Sequence, residues 1–221
     1  VLELGCGNAL LWLANADKIP ESWDITLSDF SAGMLEDAEK KTAGLGRTFS
    51  CRVIDAENIP CENNSFDIII ANHMMYHVPD RDRALSEIRR VLKSDGIFYA
   101  TTMENDYMKE MPDLLCEYRE VSVSGYRGGG VIQNFSLSNG AEQLGRHFGS
   151  IELKIYKNTL LVTDAEPFAD YVISCNDIIN GRVLLRENER ENFSGFINDR
   201  ISINSGMKFS ADAGIFICRN A

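Results

Sequence analysis

Short apolar runs recur through the first hundred residues, each followed by an amphipathic stretch. Val1–Leu4 reads as a strand. After a turn carrying two glycines, Ala9–Ala16 reads as a helix. Asp24–Leu27 predicts a second strand. A helix over Ala32–Lys41 follows it, with Ser31 as its N-cap and Gly44 beyond its end. Thr48–Ile54 and Phe66–Ala71 are the third and fourth strands. The run FDIIIA is apolar on both faces, as a central parallel strand requires. Arg81–Lys93 places Ala84, Leu85, Ile88, Val91 and Leu92 at helical spacing, capped by Asp80 and stopped by Ser94–Gly96. Gly96–Thr102 is the fifth strand. Strand and helix alternating at this rhythm define an α/β fold with a doubly wound sheet.

Beyond residue 103 the rhythm breaks. Glu104–Leu137 is polar and irregular, with a glycine-rich run at Gly125–Gly130. Ser138–Phe148 predicts a helix. Ile151–Tyr156 and Thr159–Val162 are two strands around Lys157-Asn158, where a hairpin is expected. Pro167–Ile179 and Val183–Asn198 predict helices, and Ala213–Cys218 a closing strand. The charged run Arg186–Phe193 reads as a solvated helix face.

Composition narrows the function. Of 221 residues, 33 are Asp or Glu against 22 Lys or Arg, a net charge of -11. So acidic a surface repels phosphate backbones and anionic lipid heads, which argues against nucleic acid or a membrane as partner. The six cysteines (Cys6, Cys51, Cys61, Cys116, Cys175 and Cys218) are scattered without a CxxC pair. They read as reduced, buried thiols of a cytoplasmic protein, not as a disulfide frame or a zinc site. The first residue is not Met and already belongs to a strand, from which a missing N-terminal segment is expected.

The turn itself carries chemistry. A strand–glycine–helix turn lets a ligand approach the backbone, because glycine has no Cβ to collide with it. The dinucleotide fingerprint G-x-G-x-x-G fits Gly5 and Gly7 but meets Leu10 at its third position, and no GK[ST] follows for a P-loop. Asp29 ends the second strand, where a carboxylate can accept from both hydroxyls of a ribose. Asp55 follows the third strand, where it can meet an adenine amino group. Asn72–Val78 (NHMMYHV) follows the fourth. All of these strand ends emerge at the carboxyl edge of the sheet, where open α/β folds bind ligands.

The runs VLELGCGNA, LSDFSAGMLEDA and DAENIPCENNSFDIIIANHMMYHVPDRDRALSEIRRVLKSDGIFYATT, in that order and spacing, resemble the class I S-adenosylmethionine-dependent methyltransferases. Within these they are similar to the type 11 group that methylates small molecules. The resemblance covers roughly residues 1–102. It implies a mostly parallel, seven-stranded Rossmann-like sheet with helices on both faces and an antiparallel last strand. It further implies one methyltransferase domain over 1–221, N-terminally truncated. Residues 1–103 would be its cofactor half, 104–150 and 164–206 its substrate-side elaborations, and 207–221 its closing strand. By the same resemblance Glu3, Gly5 and Gly7 hold the methionine end of S-adenosylmethionine and Asp29 holds the ribose. Phe30 and Met34 pack near the adenosine, Asp55 and Ala56 meet the adenine, Asn72 adds polar contacts, and His77 lies near the sulfonium. One departure is Ala9, where many members have a third glycine.

Methyl transfer to a small-molecule acceptor, leaving S-adenosylhomocysteine, is therefore the expected activity. Three alternatives stand beside it. These are a cofactor-binding scaffold or sensor without transfer, a methyltransferase acting on a macromolecule, and an NAD-type oxidoreductase, which Leu10 disfavours. His77 or His73, with Tyr76 adjacent, is the candidate base; the two histidines otherwise shape the loop or the cofactor pocket. His73 and His77 do not make a zinc motif, because Met74 stands where HExxH needs Glu, and no metal is expected. Tyr107, Tyr118, Tyr126 and Arg127 either line an acceptor pocket or are surface aromatics. Nothing in the sequence fixes the oligomeric state.

Overall fold

A computed structural model describes residues 1–119, 130–176 and 183–220. They group into two compact units. The first comprises Val1–Thr102, Leu137–Ile155 and the chain from Gly214, and the second Met103–Ser136 with Tyr156–Ala213.

The first unit is built on a seven-stranded, mostly parallel sheet that includes an antiparallel strand. Its strands are β1 (Leu2–Leu4), β2 (Thr26–Asp29), β3 (Ser50–Val53), β4 (Phe66–Asn72), β5 (Leu92–Met103), β6 (Ser150–Tyr156) and β9 (Ala213–Arg219), in the order β3-β2-β1-β4-β5-β9-β6. β1 lies between β2 and β4, parallel to both, with Leu2 opposite Thr26 on one side and Ile69 on the other. The chain order reverses at β1. Such a reversal opens a crevice beyond the strands' carboxyl ends.

Two amphipathic helices pack on this sheet. α2 (Ala32–Thr42) buries Leu35 and Ala38 beside Trp12, Ile25 and Leu27. α3 (Arg81–Val91) buries Ala84, Leu85, Ile88 and Val91. Both caps are those the sequence predicts: the Ser31 side chain accepts from Met34 N at 3.4 Å, and the Asp80 side chain from Arg83 N at 3.0 Å. α3 ends two residues earlier than its apolar period suggests, because Leu92 is already extended and pairs with Phe66. The helix read at Ala9–Ala16 is the shorter α1 (Leu10–Ala14), and that at Ser138–Phe148 is α5 (Gly140–Leu144).

The second unit packs α4 (Glu110–Tyr118), α6 (Ala165–Ser174) and α7 (Arg190–Asn204) with a two-stranded antiparallel sheet of β7 (Thr159–Val162) and β8 (Met207–Ser210). Its core joins Met111, Leu115, Phe168, Val172, Phe193 and Phe209. Aromatic pairs bind it, with Phe168 and Phe209 centroids 4.9 Å apart and Tyr118 edge-on to Phe193 at 5.0 Å.

Three expectations are corrected here. The hairpin at Lys157-Asn158 does not form: β6 joins the large sheet while β7 pairs with β8. Asp212 directs this, taking Asn158 N at 3.0 Å and Lys157 Nζ at 2.6 Å. The stretch after residue 103 is not irregular throughout, since α4 buries Met111, Leu114 and Leu115 at helical spacing. The helix expected from Val183 starts only at Arg190, after a 3-10 turn at Glu187–Glu189. Asn176 holds the preceding residues out of helix: its Oδ1 accepts from Leu184 N at 2.6 Å, and its Nδ2 donates to Leu185 O at 2.6 Å. The charged run is largely exposed, and within it Arg190 makes surface ion pairs with Glu166 at 2.5 Å and Asp170 at 2.6 Å.

Candidate functional site

The carboxyl ends of β1, β2 and β4 converge on the glycine turn. Gly5 and Gly7 have φ of +66° and +52°, a region where L side chains are strained. At Gly5 space is also short, since a Cβ there would stand 2.8 Å from Met74 Cβ. Ala9 continues the left-handed path with φ 60°, and it is fully buried. The departure from glycine is thus paid in backbone strain of about 1 kcal/mol. Leu10, by contrast, is 66% exposed. It does not obstruct helix–strand packing, so that ground for setting NAD aside falls, and Ala9 is the residue at the close approach.

Asp29 fastens the turn to β2. Its Oδ2 accepts from Gly7 N at 2.9 Å and its Oδ1 from Ser31 N at 2.9 Å. Each carboxylate oxygen has a second lone pair, so the half-buried group keeps acceptor capacity for a diol. Backbone pairing completes the clamp, with Cys6 N donating to Ser28 O at 2.8 Å.

Beneath the turn lies Glu3, a carboxyl 2% exposed. Trp12 Nε1 donates to its Oε2 at 2.5 Å and Asn72 Nδ2 to its Oε1 at 3.2 Å. Burial outweighs these donors, with Asp29 adding repulsion, and pushes the Glu3 pKa up to about 7. The network continues outward. Thr101 Oγ1 donates to Asn72 Oδ1 at 3.2 Å and accepts from His73 N at 3.1 Å. His73 itself has φ 51°, in the left-handed region that His enters more readily than most side chains.

The other candidates fall at the same sheet edge with different exposure. Phe30 is 76% exposed and Met34 49%, an apolar pair open to solvent. Asp55 is exposed and accepts from Glu57 N at 2.9 Å, while Ala56 is buried next to it. Tyr76 is buried with its ring 4.6 Å from that of His77. His73 and His77 both retain exposed surface, yet the protein around their rings is enough to lower their pKa values. Tyr107 and Tyr118 pack against the core of the second unit rather than standing as surface aromatics; Tyr126 and Arg127 lie outside the described residues.

Trp12 and Thr101 are members of the site that the sequence pattern did not single out. The lone signal for Trp12 is an indole N–H on an otherwise apolar helix. A cavity of about 520 Å³ lies elsewhere. Thr26, Arg52, Cys61, Ser65 and Phe66 line it at the amino ends of β2 and β4, opposite the edge where the turn and the acids meet. Among the described residues there is no cluster of three or more metal-ligating side chains, and no helix is long and apolar enough to cross a membrane. All six cysteines are free thiols, but only Cys6, Cys116 and Cys218 are buried as expected; Cys51, Cys61 and Cys175 are half-buried.

Residues 2–100 match the family described as the methyltransferase domain. Over that span, somewhat less than half of the chain, the sequence is similar to that family. Over 131 residues it is 34% identical to a malonyl-(acyl-carrier protein) O-methyltransferase of Geobacter sulfurreducens, covering 58% of this chain and 46% of that protein. Over 97 residues it is 38% identical to a demethylmenaquinone methyltransferase of Lactobacillus johnsonii, covering 43% of this chain and 40% of that protein. The chain thus spans less than half the length of these curated relatives. Among solved structures, the YcgJ protein of Bacillus subtilis superposes with a TM-score of 0.62 at 16% identity, covering all of this chain and 91% of that one. At that identity the likeness concerns the fold alone.

Proposed function

We propose that this protein transfers a methyl group from S-adenosylmethionine to a small-molecule acceptor. The observation that carries the proposal is the Asp29 carboxylate bound to Gly7 N, within the span that matches the methyltransferase family. S-adenosylmethionine supplies an activated methyl on sulfur, and an in-line attack by an O, N or C lone pair breaks the carbon–sulfur bond to leave S-adenosylhomocysteine. The residues present fit such a nucleoside. Asp29 has acceptor capacity left for the ribose hydroxyls, Phe30 and Met34 offer an open apolar face to the adenosine, and Asp55 with Ala56 faces the adenine. Gly5 and Gly7 leave room for the methionine end, with Glu3 and Asn72 as its polar floor.

The protein's own work is alignment. Positioning of reactants alone removes about 7–11 kcal/mol of barrier. A base is required only where the nucleophile must lose a proton. His77 is assigned that role, with His73 as the second candidate and Tyr76 packing against the His77 ring. Their lowered pKa values keep both imidazoles neutral, and so able to accept a proton, near pH 7. The net charge of -11 supports a small acceptor over a nucleic acid, and six free thiols support a reducing compartment, the cytoplasm.

The test is incubation with methyl-labelled S-adenosylmethionine and a metabolite mixture. Label recovered in a small organic product is expected, and absence of any transferred label contradicts the assignment. With the product identified, His77→Ala is expected to lower kcat about 100-fold for an acceptor that loses a proton. Unchanged turnover removes the base role from His77.

A further inference from the structure

We propose that Thr101 is a positioning residue, whose hydroxyl fixes the Asn72 amide with its N–H toward Glu3 and so keeps Glu3 a charged acceptor beneath the ammonium end of the nucleoside. The inference rests on the cofactor reading above and adds to it a residue on β5.

Counting donors and acceptors carries it. The Thr101 hydroxyl has one proton to give. Its oxygen already accepts from His73 N at 3.1 Å, so the proton is directed to Asn72 Oδ1 at 3.2 Å. That bond leaves Asn72 Nδ2 as the group facing Glu3 Oε1, at 3.2 Å. The other carboxylate oxygen is occupied by the Trp12 indole. Both Glu3 oxygens therefore meet donors, the arrangement an ionised carboxylate requires.

Turning the amide by half a rotation breaks every part of this. Asn72 Oδ1 would then face Glu3 Oε1, two acceptors in contact, unless Glu3 took up a proton. Asn72 Nδ2 would face Thr101, whose oxygen would have to accept twice while its proton lost its partner. Thr101 thus selects the amide orientation, and the amide orientation selects the charge state of Glu3. Valine at 101 keeps the shape and removes the selection. The buried carboxyl, already disfavoured as an anion by its surroundings, then takes a proton against the turned amide and loses its charge.

Calorimetric titration at pH 8, where Glu3 is ionised, with S-adenosylhomocysteine and with adenosine tests this on the parent, Thr101→Val and Thr101→Ser. Adenosine lacks the amino-acid end, so it reports only on the ribose and adenine side. Thr101→Val is expected to weaken S-adenosylhomocysteine about tenfold while leaving adenosine within about twofold, and Thr101→Ser is expected to restore parental affinity for both. Thr101→Ala is run beside them, and the result is read from whichever of Val and Ala remains folded. Equal affinity of the parent and the substituted proteins for S-adenosylhomocysteine overturns the proposal. So does an equal loss for both ligands, which is the signature of a merely structural role. A parent that binds neither ligand overturns the cofactor reading itself, a result distinct from either.

Discussion

Glu3→Gln gives the sharpest view of how the site is held. Burial raises the Glu3 pKa from 4.5 to about 7, so the folded protein holds a proton there over a range in which the unfolded chain has released it. Stability from this group is therefore complete below pH 4.5 and is lost as pH rises towards 7. A shift of that size corresponds to about 3 kcal/mol in full, and to about 2.5 kcal/mol between pH 5 and pH 8. Glutamine has no charge to bury, so its stability carries no such slope. His73 and His77, whose lowered pKa values act in the opposite direction as pH rises through 6.5, are present in both proteins and cancel in the difference. Urea unfolding of parent and variant at intervals from pH 5 to pH 8 measures it. The variant is expected to gain on the parent by about 2.5 kcal/mol across the series, whatever constant offset separates them at the acid end. Two parallel pH curves would refute the account of Glu3 as a desolvated carboxyl.

Two more substitutions probe the turn. Gly5→Ala combines φ +66° with a Cβ 2.8 Å from Met74 Cβ and is expected to cost about 2–4 kcal/mol; a loss below about 1 kcal/mol in denaturant unfolding would show that the turn and Met74 give way freely. Ala9→Gly relieves the strain at φ 60° and is expected to raise stability by about 1 kcal/mol, visible as a higher melting temperature, whereas a lower one would mean that the glycine's unfolded-state entropy outweighs the strain.

The α/β rhythm of the first hundred residues is readable because each of its elements buries a face that its own sequence defines. FDIIIA becomes a central strand with Ile69 and Ala71 buried on one face and Ile68 and Ile70 half-buried on the other, and Ser31 and Asp80 cap their helices through contacts three residues away. Where the expectation failed, a distant partner decided. Asp212 draws Lys157 and Asn158 out of a hairpin from some 54 residues away. Asn176 unwinds Leu184 and Leu185 from the expected helix. Leu10 falls where a sequence template wants glycine for close packing, but the backbone turns at Ala9, φ 60°, and Leu10 stands exposed. The same distinction runs through the site. Asp29 is placed by the end of its own strand and is legible in the sequence, whereas the Glu3–Asn72 bond spans 69 residues and Thr101–Asn72 spans 29. Those pairings follow from strand register, which composition and periodicity do not specify.

The central claim is that the carboxyl edge of the parallel sheet holds a sulfonium nucleoside through the glycine turn and the acid that ends β2. Calorimetric titration of S-adenosylhomocysteine into the parent and into Asp29→Ala, with NAD as a parallel ligand, tests it most directly. Saturable uptake by the parent, a loss of about 10–100-fold in the variant and no uptake of NAD are expected. Equal uptake by both proteins, or none by the parent, would contradict it.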